Sequence, residues 1–85
     1  MLAEALEHLV RGIVSYPDDV RIRMKELRRA RLLEVRVSPS DIGKVIGRHG
    51  RTAIALRTVI SALAGRESVR VDFVDVDRRP RGRRR

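Results

Sequence analysis

Apolar residues open the chain at helical spacing. Leu2, Leu6, Leu9, Val10, Ile13 and Val14 fall on one side, with Glu4, Glu7, His8 and Arg11 on the other. The pattern predicts an amphipathic helix of about three to four turns. It should end near Tyr16, because the residue before Pro17 is pushed out of the α region. Pro17-Asp18-Asp19 reads as a turn. The period then changes to two. Val20, Ile22 and Met24 alternate with Arg21, Arg23 and Lys25, and after a basic connection at 28–31, Leu33, Val35 and Val37 alternate with Glu34 and Arg36. These are two half-buried strands, read as hairpin partners.

Helical signals return at Ser38-Pro39-Ser40-Asp41. Ser38 suits an N-cap, Pro39 the first helical position, and Asp41 the positive helix end. Ile42, Val45 and Ile46 supply the inward side of this short helix. Another helix is predicted over 51–64, with Ala53, Leu56, Val59, Ile60 and Leu63 inward and Gly65 as C-cap. A third strand follows, with Val69, Val71 and Phe73 on one face and Arg70, Asp72 and Val74 on the other. The order is α-β-β-α-α-β, an α+β chain. The tight link pairs strands one and two antiparallel, and the two-helix connection makes strands two and three a parallel, right-handed crossover. Three helices would then cover one face of a three-stranded mixed sheet. Arg21, Arg23, Lys25, Arg36 and Arg70 would lie on the other face, read as a solvated face ahead of a polyanion-binding one.

The chemistry concentrates between the two short-range helices, at Gly47-Arg48-His49-Gly50. Glycine at both ends allows a sharp turn with positive φ and lets another backbone come close. The following helix aims its first free N–H groups into the loop, where they favour an anion. Arg48 can fork onto phosphate oxygens, Arg51 can do the same from the first helical turn, and Lys44 adds a flexible charge one turn back. His49 is a neutral donor at pH 7 and a partial cation below it.

Composition narrows the field. The 85 residues make one small domain with no cysteine and two histidines, so no disulfide framework, thiolate site or structural zinc is expected, and no cofactor is called for. No apolar run approaches a membrane span and no signal-peptide layout is present, so a soluble cytoplasmic protein is expected. The formal net charge is +9, but six arginines lie in 78–85, leaving 14 Lys+Arg against 11 Asp+Glu in 1–77. A like-charged segment with Pro and Gly is expected to be a disordered tail, either an electrostatic arm for RNA or a solubilising end. With Tyr16 and Phe73 as the aromatic residues, there is no platform for base stacking.

The element order and the run Ser38-Pro39-Ser40-Asp41-Ile42-Gly43-Lys44-Val45-Ile46-Gly47-Arg48-His49-Gly50-Arg51-Thr52-Ala53 resemble a type II KH domain. More closely, they resemble the signature of the KhpA family of small bacterial single-KH RNA-binding proteins. The resemblance covers residues 1 to about 77, with the arginine-rich end outside the family pattern. It implies a groove for about four nucleotides of single-stranded RNA, clamped by the glycine loop. Carried onto this chain, Gly47, Arg48, His49 and Gly50 would hold the sugar-phosphate backbone. Ile42, Ile46 and Ile54 would form an apolar floor, and the second strand around Val35 and Val37 the far wall. The resemblance also implies a homodimer, association with a larger KhpB-like KH-containing protein, RNA chaperoning, and a link to cell elongation and division.

Two other classes compete. One is a protein-interaction subunit of a larger RNA-binding complex, its own groove idle. The other is a helix-turn-helix DNA binder, which the apolar character of 51–64 disfavours, since a recognition helix exposes polar base-reading side chains. The sequence offers no nucleophile-base pair, metal cluster or Walker spacing, so an enzyme is not expected.

Overall fold

The computed structural model describes residues 1–75; positions 76–85, which include the predicted arginine-rich tail, lie outside the described residues. The sheet is organised around β2 (Arg31–Val37), which pairs antiparallel with β1 (Arg21–Glu26) and parallel with β3 (Val69–Asp75). The strand order is β1-β2-β3. The helices are α1 (Leu2–Arg11), α2 (Ile42–Ile46) and α3 (Arg51–Ala64), with short 3-10 turns at Pro17–Asp19, Pro39–Asp41 and Arg48–Gly50. The predicted order α-β-β-α-α-β and the mixed sheet are as observed.

Period-two patterning explains the layers. Leu33, Val35 and Val37 point from the central strand into the core, where Leu6 and Val10 of α1, Val45 of α2, Leu56 and Ile60 of α3, and Val71 of β3 meet them. All three helices therefore cover one face of the sheet. Burying side chains of this size stabilises by about 1.5–3 kcal/mol each, which a domain this small cannot spare.

Three sequence expectations need correction. First, α1 stops at Arg11, well short of Tyr16. Its hydrogen bonds tighten at Gly12, whose amide donates to both His8 and Leu9 carbonyls, and Ile13 N–H bonds Val10 O at 2.9 Å in a tighter turn. Val14 N–H still reaches Val10 O at 3.2 Å, and the donors after it are drawn elsewhere: Ser15 and Tyr16 N–H donate to the Asp41 carboxylate, each at 3.0 Å. A buried anion competes with helix continuation there. Second, Ser38 is not the cap of α2; Asp41 holds the N-terminal position of that helix, at its positive end as expected, without a side-chain capping bond. Ser38 does cap, its hydroxyl accepting from Ser40 N–H at 3.3 Å, but it caps the 3-10 turn that precedes α2. Third, Val59 and Leu63 are not core. They are 44 % and 59 % exposed, because the buried stripe of α3 runs through Ala53, Leu56 and Ile60.

Candidate nucleic-acid interface

The loop between α2 and α3 takes the shape that its glycines permit. Gly47 has φ 78° and ψ 172°, a region essentially restricted to glycine. A second reason holds it bare. A Cβ built on Gly47 would lie 2.7 Å from Thr52 Cβ and 2.8 Å from Thr52 N, inside the first turn of α3. Gly50 is also left-handed, φ 74° and ψ 13°, but a Cβ there would meet nothing within 4 Å. Gly47 is thus bare for close packing, and Gly50 for backbone conformation alone. Between them His49 also has positive φ, 57°, uncommon outside glycine though His tolerates it better than most. Gly50 N–H closes the turn on Gly47 O at 3.1 Å.

This turn delivers Arg48 and His49 to solvent. Both are exposed, as is Arg51, and none of the three has an ion-pair or side-chain hydrogen-bond partner among the described residues. α3 begins without a capping side chain and without an acidic residue in its first turn. Its positive end therefore stays unneutralised, an arrangement that favours an anion.

Lys44 is placed differently from the free charge expected of it. Its Nζ contacts the Ser15 hydroxyl and lies 3.7 Å from Asp41 Oδ1. The ammonium is half exposed and partly committed to Asp41, whose side chain is inaccessible to solvent. Burial by itself pushes the Asp41 carboxyl up. The Ser15 and Tyr16 amides and the Lys44 ammonium outweigh it and hold the group below its usual carboxylate value. Asp41 thereby ties the segment after α1 to the start of α2, immediately before the glycine loop.

The apolar residues divide. Ile42 and Ile46 are half-buried and pack against the core. Ile54 is 58 % exposed on the flank of α3 next to the loop. The expected far wall is wrong: Val35 and Val37 are fully buried in the central strand and cannot face a ligand. The strand beside this flank is β3, an edge of the sheet on which both α2 and α3 pack. Arg57 Nε donates to Val71 O of β3 at 3.1 Å, and its guanidinium carbon lies 5.4 Å from the Phe73 ring centroid. A cation over an aromatic face at this distance is a stabilising contact. Arg57 is not among the residues expected at the site. The signal was its position three residues after Ile54, on the same helix flank.

A small α+β domain with a glycine-bracketed turn between two helices, opposed by a parallel edge strand, is a type II KH module. The family described as KhpA/KhpB, KH domain matches residues 3–76. The chain belongs to that family. It is 69 % identical over 77 residues to the RNA-binding protein KhpA of Streptomyces coelicolor, covering 91 % of this chain and 96 % of the relative. It is 57 % identical over 77 residues to the RNA-binding protein KhpA of Mycobacterium bovis, covering 91 % and 95 %. To the KhpA of Borreliella burgdorferi it is 40 % identical over 74 residues, covering 87 % and 90 %. No solved structure matches.

Proposed function

We propose that this chain binds single-stranded RNA, with the backbone seated at Gly47, Arg48, His49 and Gly50 and the bases directed along the α3 flank toward β3. The observation that carries the reading is the open glycine turn, which presents two unpaired cationic or donor side chains at an uncapped helix end. The RNA-binding names of relatives up to 69 % identical support the ligand class. Arg51 extends the phosphate contacts, and Ile46 and Ile54 give the bases an apolar surface. With no stacking platform, the single groove binds weakly, and specificity rests on base edges.

Replacing Arg48 and His49 together by Asp tests this. The fold should be intact by circular dichroism, and RNA affinity should drop at least about tenfold, the scale of two lost charge-assisted contacts. Unchanged RNA affinity would sink the clamp; retention of a protein partner would then favour the interaction-subunit reading. Preference for duplex DNA over single-stranded RNA would favour the helix-turn-helix reading instead.

The domain reading of 1–77 with a separate basic segment at 78–85 belongs to the same proposal. So do action in the cytoplasm, RNA chaperoning, and the link to cell elongation and division that the family resemblance implies. No helix among the described residues is long and apolar enough to cross a membrane.

A homodimer would raise the affinity of so small a groove through local concentration. Val59 and Leu63 support it, since they leave an exposed apolar strip on α3 beside the small Ala55 and Ala62. Val59→Asp with Leu63→Asp is expected to leave helicity unchanged and to convert a dimer into a monomer in sedimentation velocity. A wild-type chain that sediments as a monomer at every concentration refutes the homodimer. A larger KhpB-like KH protein is the other partner proposed, and the same pair of substitutions asks whether it uses this strip.

A further inference from the structure

The outer face of the sheet is the largest feature that the groove does not use. Strand register places Arg21 beside Arg36, Arg23 beside Glu34, and Lys25 beside Leu32. On the other side Arg70 stands beside Leu32 and Asp72 beside Glu34. No helix covers this face. It therefore carries five cations against two carboxylates, out of 14 Lys+Arg and 10 Asp+Glu in residues 1–75. Most of the net charge of the folded residues is gathered here.

The carboxylate at the centre is already engaged. Glu34 is nearly buried, with Arg36 Nε at 3.3 Å from Oε1 and Lys25 Nζ at 3.9 Å from Oε2. Arg21 is held by its own backbone surroundings, its Nη1 donating to Asp18 O at 2.8 Å and Val20 O at 2.9 Å. These contacts give each guanidinium of the cross-strand neighbours Arg21 and Arg36 its own acceptor, which offsets a like-charged pairing that otherwise destabilises a sheet. Arg23 and Arg70 are exposed and have no ion-pair partner among the described residues. Along β1 the cations repeat every second residue, about 6.6 Å apart. Leu32 and Val74 are the apolar residues of this face, and both are partly covered, so it offers no apolar patch for a protein partner.

We infer that this face is a second RNA-binding surface, one that takes the phosphate backbone of a strand without reading its bases. It rests on RNA being the ligand but not on the glycine loop. A strand seated at the loop reaches it by passing round the edge of β3, so the surface acts on long RNA and not on a short oligomer.

The test compares the full chain with the Arg23→Gln/Arg70→Gln variant, using poly(U) and an oligouridine of about four nucleotides, the length that the groove spans. For poly(U), the slope of log affinity against log salt should shrink by about 1.4, at about 0.7 for each lost phosphate contact on a single strand. Oligouridine affinity should not change. Backbone amide shifts of β1, the strand farthest from the groove, should move with poly(U) in the wild-type chain and not with the oligomer. Equal weakening toward both ligands would overturn the inference, since the substitutions would then act through the groove or the fold. So would an unaltered poly(U) slope, including one accompanied by lost binding to polyglutamate, which would mark the face as a site for acidic protein. A chain that binds poly(U) through the sheet while the Arg48/His49 variant is unimpaired keeps the inference and refutes the loop.

Discussion

Gly47→Ala is expected to lose most RNA affinity and to lower the melting temperature markedly, whereas Gly50→Ala should do far less. Both positions have positive φ, so each alanine is strained, by about 1–2 kcal/mol at left-handed Gly50 and by about 1–3 kcal/mol at Gly47, whose ψ of 172° lies in a region essentially restricted to glycine. The two differ in what surrounds them. At Gly47 the new methyl runs into Thr52, including its main-chain nitrogen, and this cannot be relieved by a rotamer change. Either the loop swings out or the first turn of α3 moves. In both cases the proposed phosphate cradle is lost, along with the alignment of the N–H groups behind it. The affinity loss should exceed the roughly tenfold expected of the Arg48/His49 double substitution, which removes side chains but leaves the turn standing. At Gly50 the methyl enters open space, and strain alone predicts a melting decrease of about 4–16 °C, at about 4–8 °C per kcal/mol for a domain this size. Thermal melts and an RNA titration on the two variants decide it. Equal effects at both positions would mean that Thr52 yields, and that the contact beneath the loop does not hold its shape.

The second large effect concerns Asp41. Asp41→Asn retains the shape but replaces one acceptor oxygen by an NH2 group, which would face a main-chain donor at Ser15 or Tyr16. A buried donor left without an acceptor is strongly unfavourable. The expected decrease in melting temperature near neutral pH is on the order of 10 °C. The pH dependence follows from the direction of the carboxyl's shift. Because the folded protein holds the Asp41 pKa below its usual value, the unfolded chain takes up the proton first as pH falls. The stabilisation is therefore complete above about pH 4, the ordinary carboxylate range, and is lost as pH falls through the folded value. Melting curves of wild type and variant should consequently converge on acidification. A gap that persists undiminished to the lowest pH would show that the carboxylate's charge is not what stabilises the contact.

The groove depends on this buried carboxylate indirectly. Asp41 stands at the entry to α2, a helix of five residues that has little stability of its own. Pinning its start to the segment after α1 fixes where its end, and hence Gly47, can lie. Positioning of this kind was not readable from the sequence. The Asp that follows Ser38-Pro39-Ser40 has the local signature of a helix start, and its partners lie 25 and 26 residues away. The same long-range contact explains why α1 ended early, since periodicity through Ile13 and Val14 said nothing of a competing acceptor. Elements whose partners are local or periodic were legible: the two strands and the alternation of β2, the stripe Ala53-Leu56-Ile60, and the glycine bracket, whereas Met24, expected on the inward side of β1, is 50 % exposed. The far wall was misassigned although the expected pairing of the second strand with both others already put it at the centre: a central strand turns its apolar side, Val35 and Val37, beneath the helices, and the rim is left to β3. Val59 and Leu63 were misplaced for a related reason, since a 14-residue helix with apolar residues on most sides does not declare its inward side.

The two rims of the sheet have a bearing on crowding. A protein that gathers along a polyanion is brought to high local concentration, where exposed strands of neighbouring copies can zip together. Here β1 presents a lattice of arginine and lysine at one margin, and at the other the Arg57 side chain occupies a carbonyl of β3 that an incoming strand would need. Both margins are poor templates for edge-to-edge growth between neighbouring copies.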